Sequence, residues 1–269
     1  MPENIEIFDA LGNPVSGVLS IPQRANSVVI MSHGLSSSKD NRLYRELEAE
    51  LNGKDIGTLR YDYYGHGPAY GFPGPSYGML GDVTLSKTME SLKAMIYLVR
   101  QRGEYRVGLL GSSYGGLLSI EAASRDKEIA ALALKSPVTE PKIFWKQRIL
   151  EKFGERGFAQ WKKEGSIHYK NRVEDFDLSW DFWYDLQKYD TLADAKKIRC
   201  PVLIVHGDSD SYVPIEQSYL LSRALGKTLR EKVKIVRGAD HGYNEPEQYS
   251  EMKNLIRDFL FAVLANTEI

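Results

Sequence analysis

Residues 107–115 read Val107-Gly108-Leu109-Leu110-Gly111-Ser112-Ser113-Tyr114-Gly115. A short apolar run, 107–110, leads in, and residues 114–123 read as a helix. Between them lies a serine flanked by glycines, on what must be a sharp, strained strand-to-helix turn that thrusts its hydroxyl outward. Side chains two residues before and two after such a serine would clash. Ser113 has Gly111 behind it and Gly115 ahead, whereas Ser112 would have Leu110 and Tyr114 at those places. The spacing therefore selects Ser113 as a nucleophile. A glycine-rich turn that merely contains serine is the plainer reading of the five residues alone; the strand before and the helix after argue against it.

Serine is a poor nucleophile near neutral pH without a base and a group that orients the base. On this kind of turn the acid and then the histidine follow the serine in the chain. Of the five histidines, His168, His206 and His241 come after Ser113. His241 lies in Gly238-Ala239-Asp240-His241-Gly242, just after an apolar run at 233–236, where a loop can carry it over the sheet edge. His206 ends a strand and reads as a locally packed side chain; His168 lies among charges and reads as a solvated one. The acid is expected after the strand at 202–205, where Asp208 and Asp210 both qualify and either could instead cap the turn. Acyl chemistry also needs donors for an oxyanion. The backbone N–H of Tyr114 supplies one, and that of Leu35, in the loop after the strand at 27–31, the other. His33 then shapes that loop and is not the base.

Outward from these loops, short apolar strands at 27–31, 57–61, 107–110, 129–134, 202–205 and 233–236 alternate with helices. Leu85, Met89, Leu92, Ile96 and Val99 recur every three or four residues and mark one helical face. The last helix begins near Pro246. Such alternation predicts an α/β chain with a mostly parallel sheet covered on both faces. Residues 5–8 and 15–19, joined by a turn at 11–14, predict an antiparallel edge hairpin, and residues 62–81 a glycine-rich loop. The rhythm breaks between residues 137 and 190, which hold all four tryptophans: Trp145, Trp161, Trp180 and Trp183. No strong strand run is visible there. The segment reads as a helical insertion packed over something, its aromatics either lining a pocket or gluing the insertion to the body.

At 269 residues, against roughly 150 per domain, one large domain with an insertion fits. Lys plus Arg number 35 and Asp plus Glu 36, so no basic excess speaks for nucleic acid. The single cysteine, Cys200, excludes an internal disulfide and reads as a buried thiol. The longest apolar stretch near the C-terminus, 259–265, is too short for a membrane span, and the acidic, polar start does not read as a signal peptide. A cytoplasmic protein is expected. No metal-ligand spacing or phosphate-binding fingerprint is present, so neither a metal nor a nucleotide cofactor is expected. Asp62 and His66 read as residues that fix a loop.

Taken in order, His33-Gly34-Leu35, Gly65-His66-Gly67, Gly111 to Gly115, His206-Gly207-Asp208-Ser209-Asp210 with Val213-Pro214, and Asp240-His241-Gly242 resemble the α/β-hydrolase family over nearly the whole chain. Within it the chain looks most like the cinnamoyl/feruloyl esterase and serine-aminopeptidase-like group. The resemblance implies an α/β-hydrolase core at 1–136 and 191–269 with a helical cap at 137–190. It implies that the acid is the Asp preceding x-x-Val-Pro, which is Asp210. It implies a Ser113–His241–Asp210 triad that cleaves a small-molecule carboxylic ester, of aryl or hydroxycinnamoyl type, through an acyl-enzyme and without a cofactor. Amide or thioester cleavage by the same triad, and a non-catalytic binding protein on the same fold, are the alternatives. Many relatives read Arg-Gly-His-Gly-x-Ser where this chain has Tyr64-Gly65-His66-Gly67-Pro68-Ala69, a departure beside the expected substrate pocket.

Overall fold

A computed structural model describes residues 2–67, 78–170, 175–225 and 233–265. The strands are β1 (Glu3–Phe8), β2 (Pro14–Ser20), β3 (Ser27–Ser32), β4 (Gly57–Asp62), β5 (Arg106–Ser112), β6 (Ile129–Lys135), β7 (Ser166–Lys170), β8 (Asp175–Ser179), β9 (Val202–Gly207) and β10 (Lys234–Val236). The helices are α1 (Arg42–Asn52), α2 (Leu85–Arg102), α3 (Tyr114–Arg125), α4 (Pro141–Glu164), α5 (Trp180–Leu186), α6 (Thr191–Ala195), α7 (Glu216–Ala224) and α8 (Pro246–Leu264). Eight strands form one sheet in the order β1-β2-β4-β3-β5-β6-β9-β10. The hairpin β1–β2 is antiparallel and joins β4 antiparallel; from β4 to β10 every pairing is parallel.

The alternation within β3 shows why its apolar run is unbroken. Val28 and Ile30 pack on one side with Leu92, Met95 and Val99 of α2 and Leu117 and Leu118 of α3. Val29 and Met31 pack on the other with Leu47 and Leu51 of α1 and Met252, Ile256 and Leu260 of α8. A strand buried on both faces favours apolar residues in both alternate sets; in β4 the buried Thr58, Arg60 and Asp62 are instead held by polar partners. The predicted stripe of α2 is buried from Leu85 to Val99, and Thr84 caps the helix by accepting from Lys87 N–H at 3.2 Å. From β3 the chain winds one way to β4, and from β5 the other way to β6. The loops that leave the carboxyl ends of the paired strands β3 and β5 therefore run to opposite faces and leave a crevice between them, where ligands bind in open α/β sheets.

The segment between β6 and β9, expected as a helical insertion, is not purely helical. α4 is broken at Gly154 (φ 67°, ψ −179°), and β7 pairs antiparallel with β8 as a separate two-stranded sheet before α5. Ile167 and Tyr169 alternate with polar residues, as do Phe176 and Leu178. That signal spans only a few residues and was masked by the charges around it. Trp161 Nε1 donates to Leu178 O at 2.8 Å and fastens α4 to the hairpin. Asp185 of α5 accepts from both the N–H and the hydroxyl of Ser86 at 2.7 Å, tying the insertion to the start of α2. Half of the expected glycine-rich loop at 62–81, residues 68–77, lies outside the described residues. Among the described residues no helix is long and apolar enough to cross a membrane.

Candidate active site

Ser113 stands between β5 and α3 with φ 55° and ψ −114°. Such a backbone costs a non-glycine residue about 1–3 kcal/mol. Its surroundings hold it there. Ser113 N–H donates to Lys135 O at 2.9 Å, and Ser113 O accepts from the N–H groups of Gly116 and Val138. A Cβ on Gly111 would lie 2.3 Å from Gly115 O, and one on Gly115 would lie 1.9 Å from Ser32 O. Both obstacles are backbone, so the two glycines are steric requirements of the turn.

Asp210 hangs from the loop after β9. Its Oδ1 accepts from Tyr212 N–H at 2.9 Å and Val213 N–H at 2.8 Å, and its Oδ2 accepts from His241 Nδ1 at 2.7 Å. Buried His206 stands behind it. Its Nε2 lies 2.9 Å from Val213 O and 3.3 Å from Asp210 Oδ2, and its Nδ1 lies 2.6 Å from Ser218 Oγ. Two acceptors face Nε2, so the proton belongs there and His206 braces the carboxylate. Burial pushes the Asp210 carboxyl up, but the bonds from His206, His241 and Val213 outweigh it and hold it far below the usual carboxylate range. Asp208 leaves the turn elsewhere: its carboxylate accepts from Gly238 N–H at 2.5 Å and ties the β9 loop to the β10 loop.

His241 is pushed down from the ordinary histidine value by burial. The Asp210 bond opposes that shift, and the nearby Lys135 ammonium adds to it. A neutral ring that donates from Nδ1 to Asp210 keeps a lone pair on Nε2. Ser113 and His241 line one cavity of about 350 Å³ together with Leu35, Tyr114, Phe144 and Trp145. Tyr114 is the first residue of α3, so its N–H has no acceptor within the helix and lies at the positive end of the helix dipole.

The loop carrying Leu35 is tightly braced. Ser36, at φ 57°, donates its N–H to His66 Nε2 at 3.1 Å. Burial pushes His66 down to about 3, so it remains a neutral acceptor. Tyr63 donates its hydroxyl to His33 O at 2.8 Å, and His33 Nδ1 donates to Gly34 O at 2.8 Å. Asp62 sits beneath, 2.5 Å from Lys39 Nζ and 3.4 Å from His33 Nε2. Burial pushes the Asp62 carboxyl up, yet these two partners leave it at about 2. His33 thus shapes this loop, and Asp62 and His66, expected to fix the loop after the strand at 57–61, brace the loop after β3 through Lys39 and Ser36.

The remaining singled-out residues lie apart. His168 is exposed on the β7–β8 hairpin, 3.0 Å from Asp177, and Cys200 is a buried thiol pushed up to about 11 by burial. The sequence reading missed two residues. Lys135 lines the cavity at the end of β6, and a lysine closing an otherwise apolar strand was its available signal. Arg148 of α4 donates to Ser211 O at 3.0 Å and to Tyr212 O, with its guanidinium 4.4 Å over the Tyr212 ring. It clamps the loop that carries Asp210 to the insertion.

Residues 23–247 match the serine aminopeptidase S33 family of hydrolases. The chain belongs to that family. Esterase EstD of Thermotoga maritima is 24% identical over 263 residues, covering 87% of this chain and 59% of that protein. The uncharacterized protein Rv2307c of Mycobacterium tuberculosis is 25% identical over 228 residues, covering 82% and 66%. This S33 chain therefore spans about three-fifths to two-thirds of the length of those relatives. Est1E of Butyrivibrio proteoclasticus, solved with ferulic acid bound, superposes with a TM-score of 0.79 at 23% identity, over 97% of this chain and 100% of that one. The α/β hydrolase GrgF from Penicillium sp. sh18 superposes with a TM-score of 0.73 at 18% identity, over 99% and 100%. The S33 chain has the α/β-hydrolase fold, with a mainly parallel central sheet flanked by helices.

Proposed function

We propose that the chain is a serine hydrolase of carboxylic esters, with Ser113 as nucleophile, His241 as general base and acid, and Asp210 as the group that orients His241. The observation that carries this reading is the 2.7 Å Asp210–His241 bond beside a serine held at φ 55° in the same cavity. Nδ1 is committed to Asp210, so proton exchange with the Ser113 hydroxyl falls to Nε2. Ser113 Oγ attacks the acyl carbon as Nε2 takes its proton, and the tetrahedral oxyanion meets the N–H groups of Leu35 and Tyr114. His241 returns the proton to the leaving alkoxide. Water, deprotonated by the same nitrogen, then releases the acid from Ser113. Asp210 keeps its charge and stabilises the imidazolium at each transfer.

Residues 137–190 act in this reading as a cap whose α4 supplies an aromatic wall. Phe144 and Trp145 line the cavity at 5.3 Å between ring centroids, and Tyr212 faces them from the Asp210 loop. Such a wall suits the apolar or aryl end of an ester. The complex of Est1E with ferulic acid is a fold-level parallel. The family description favours a second reading, aminopeptidase action. The cavity speaks against it: its described lining holds no carboxylate for a substrate ammonium and does hold Lys135.

The test is turnover of a p-nitrophenyl ester and the p-nitroanilide of the same acid by wild type and Ser113→Ala. The expected result is a strong preference for the ester, lost in the variant. Faster anilide cleavage, or a fully active Ser113→Ala, would overturn the proposal.

A further inference from the structure

A second cavity, of about 360 Å³, abuts the first, and the two share Gly34, Ser37, Ser112, Lys135 and Gly242. Its far side is built from residues 41–44 at the start of α1 and from Tyr249 and Met252 of α8. Lys135 is thus the one cation common to both cavities among the described residues.

Lys135 is only 8% exposed. Its Nζ donates to His241 O at 2.8 Å and lies 4.7 Å from the Tyr243 ring centroid. An ammonium has three donors, and buried charges are normally paired. Asp210 and Asp240 act on Lys135 through space, and among the described residues no carboxylate is in ion-pair contact with it. Lys39, the other buried lysine among the described residues, has Asp62 at 2.5 Å. Burial without such a partner pushes Lys135 down to about 8. The start of α1 also borders this cavity; the helix has 11 residues, no acidic side chain in its first turn, and Asn41 as its cap, accepting from Tyr44 N–H at 3.1 Å. Arg42 also lines this cavity, but its guanidinium is held by Glu46 at 2.7 Å and lies over the Tyr249 ring.

We infer that the ester substrate carries a carboxylate at the end opposite its apolar or aryl group, and that Lys135 binds it from the second cavity. The scissile bond then lies over Ser113, between the aromatic wall and the ammonium. This inference rests on the ester-hydrolase reading and narrows its substrate to amphiphilic monoanions. A substrate ammonium would be repelled by the same side chain.

Two matched pairs of compounds cover both directions of the ester: phenylpropanoyl glycolate with its glycolamide, and monophenyl succinate with phenyl succinamate. Wild type is expected to prefer the carboxylate in one pair by about tenfold or more in kcat/KM, the range of a charge-assisted hydrogen bond. Lys135→Met should bring that ratio close to one, and Lys135→Arg should keep much of it; Lys135→Gln serves if the Met variant does not fold. Calorimetric titration of the same compounds into Ser113→Ala, with and without Lys135→Met, reads binding apart from turnover. A ratio near one for wild type in both pairs, or a preference that survives Lys135→Met, overturns the inference. Carboxylate-selective binding through Lys135 with no ester turned over would uphold the anion site and refute the esterase reading. Turnover without any charge preference would do the reverse.

Discussion

Replacing Asp210 by Asn removes one charge and leaves the shape, and the surroundings dictate how the amide must lie. Tyr212 N–H and Val213 N–H donate to Oδ1 at 2.9 and 2.8 Å, so the amide oxygen has to take that position. The NH2 group then faces His241 Nδ1, at the 2.7 Å contact where the carboxylate had accepted a proton. Flipping the amide would set its NH2 against two backbone donors, which costs more. His241 is therefore forced into the tautomer with its proton on Nε2, where it cannot receive the proton of Ser113. The NH2 also meets His206 Nε2, a donor that lay 3.3 Å from the lost oxygen. The wrong tautomer and the missing charge together amount to a loss of about ten-thousandfold in kcat, or roughly 5 kcal/mol of transition-state stabilisation. The assay is kcat on a p-nitrophenyl ester, with circular dichroism to establish that the variant is folded. Asp208→Asn is the control. Its amide oxygen can still accept from Gly238 N–H, so kcat should stay within a few-fold of wild type. A folded Asp210→Asn that keeps a tenth of its kcat, or an Asp208→Asn that is the more damaged, would refute the reasoning.

Three further outcomes are expected. Phe144→Ala and Trp145→Ala should lower kcat/KM for aryl esters about five- to tenfold more than for an acetyl ester, the scale of an aromatic contact; equal losses on both substrates would reduce the two rings to structural glue. Gly115→Ala must move backbone that would lie 1.9 Å from the new Cβ, so it should cost upwards of about 4 kcal/mol in urea unfolding, and a fully stable variant would contradict the steric account of the turn. In the proposed mechanism His241 accepts a proton only when neutral, and burial holds it below its usual 6.5. Activity should therefore fall as pH drops, with an acid-limb midpoint in kcat/KM below 6.5, and a midpoint above that value would contradict the burial of the ring.

The parallel sheet was legible because strands covered on both faces carry unbroken apolar runs, as Val28 to Met31 do between α2 and α8. The strained turn at Ser113 was legible because two glycines stand where a Cβ would strike backbone. What stayed hidden depends on direction rather than on residue type. Position in the turn alone left both Asp208 and Asp210 open, and the choice of Asp210 came from the family resemblance; in the structure the path of each side chain separates the tie to Gly238 from the bond to His241. The β7–β8 hairpin escaped notice because its apolar alternation is brief and interrupted by charge. The aromatics of 137–190 could not be sorted by sequence either. Trp161, Trp180 and Phe158 pack on one another, whereas Phe144 and Trp145 reach the cavity. Lys135 reads as the end of a strand until the fold sets it between two cavities.

The central claim is that Ser113, and not its neighbour, is the activated nucleophile. Treatment with a fluorophosphonate followed by peptide mass spectrometry tests it directly. The expected result is a single adduct on Ser113 that persists in Ser112→Ala, disappears in Ser113→Ala and forms far more slowly in His241→Ala. An adduct on Ser112, or no adduct on the folded wild-type protein, would contradict the claim.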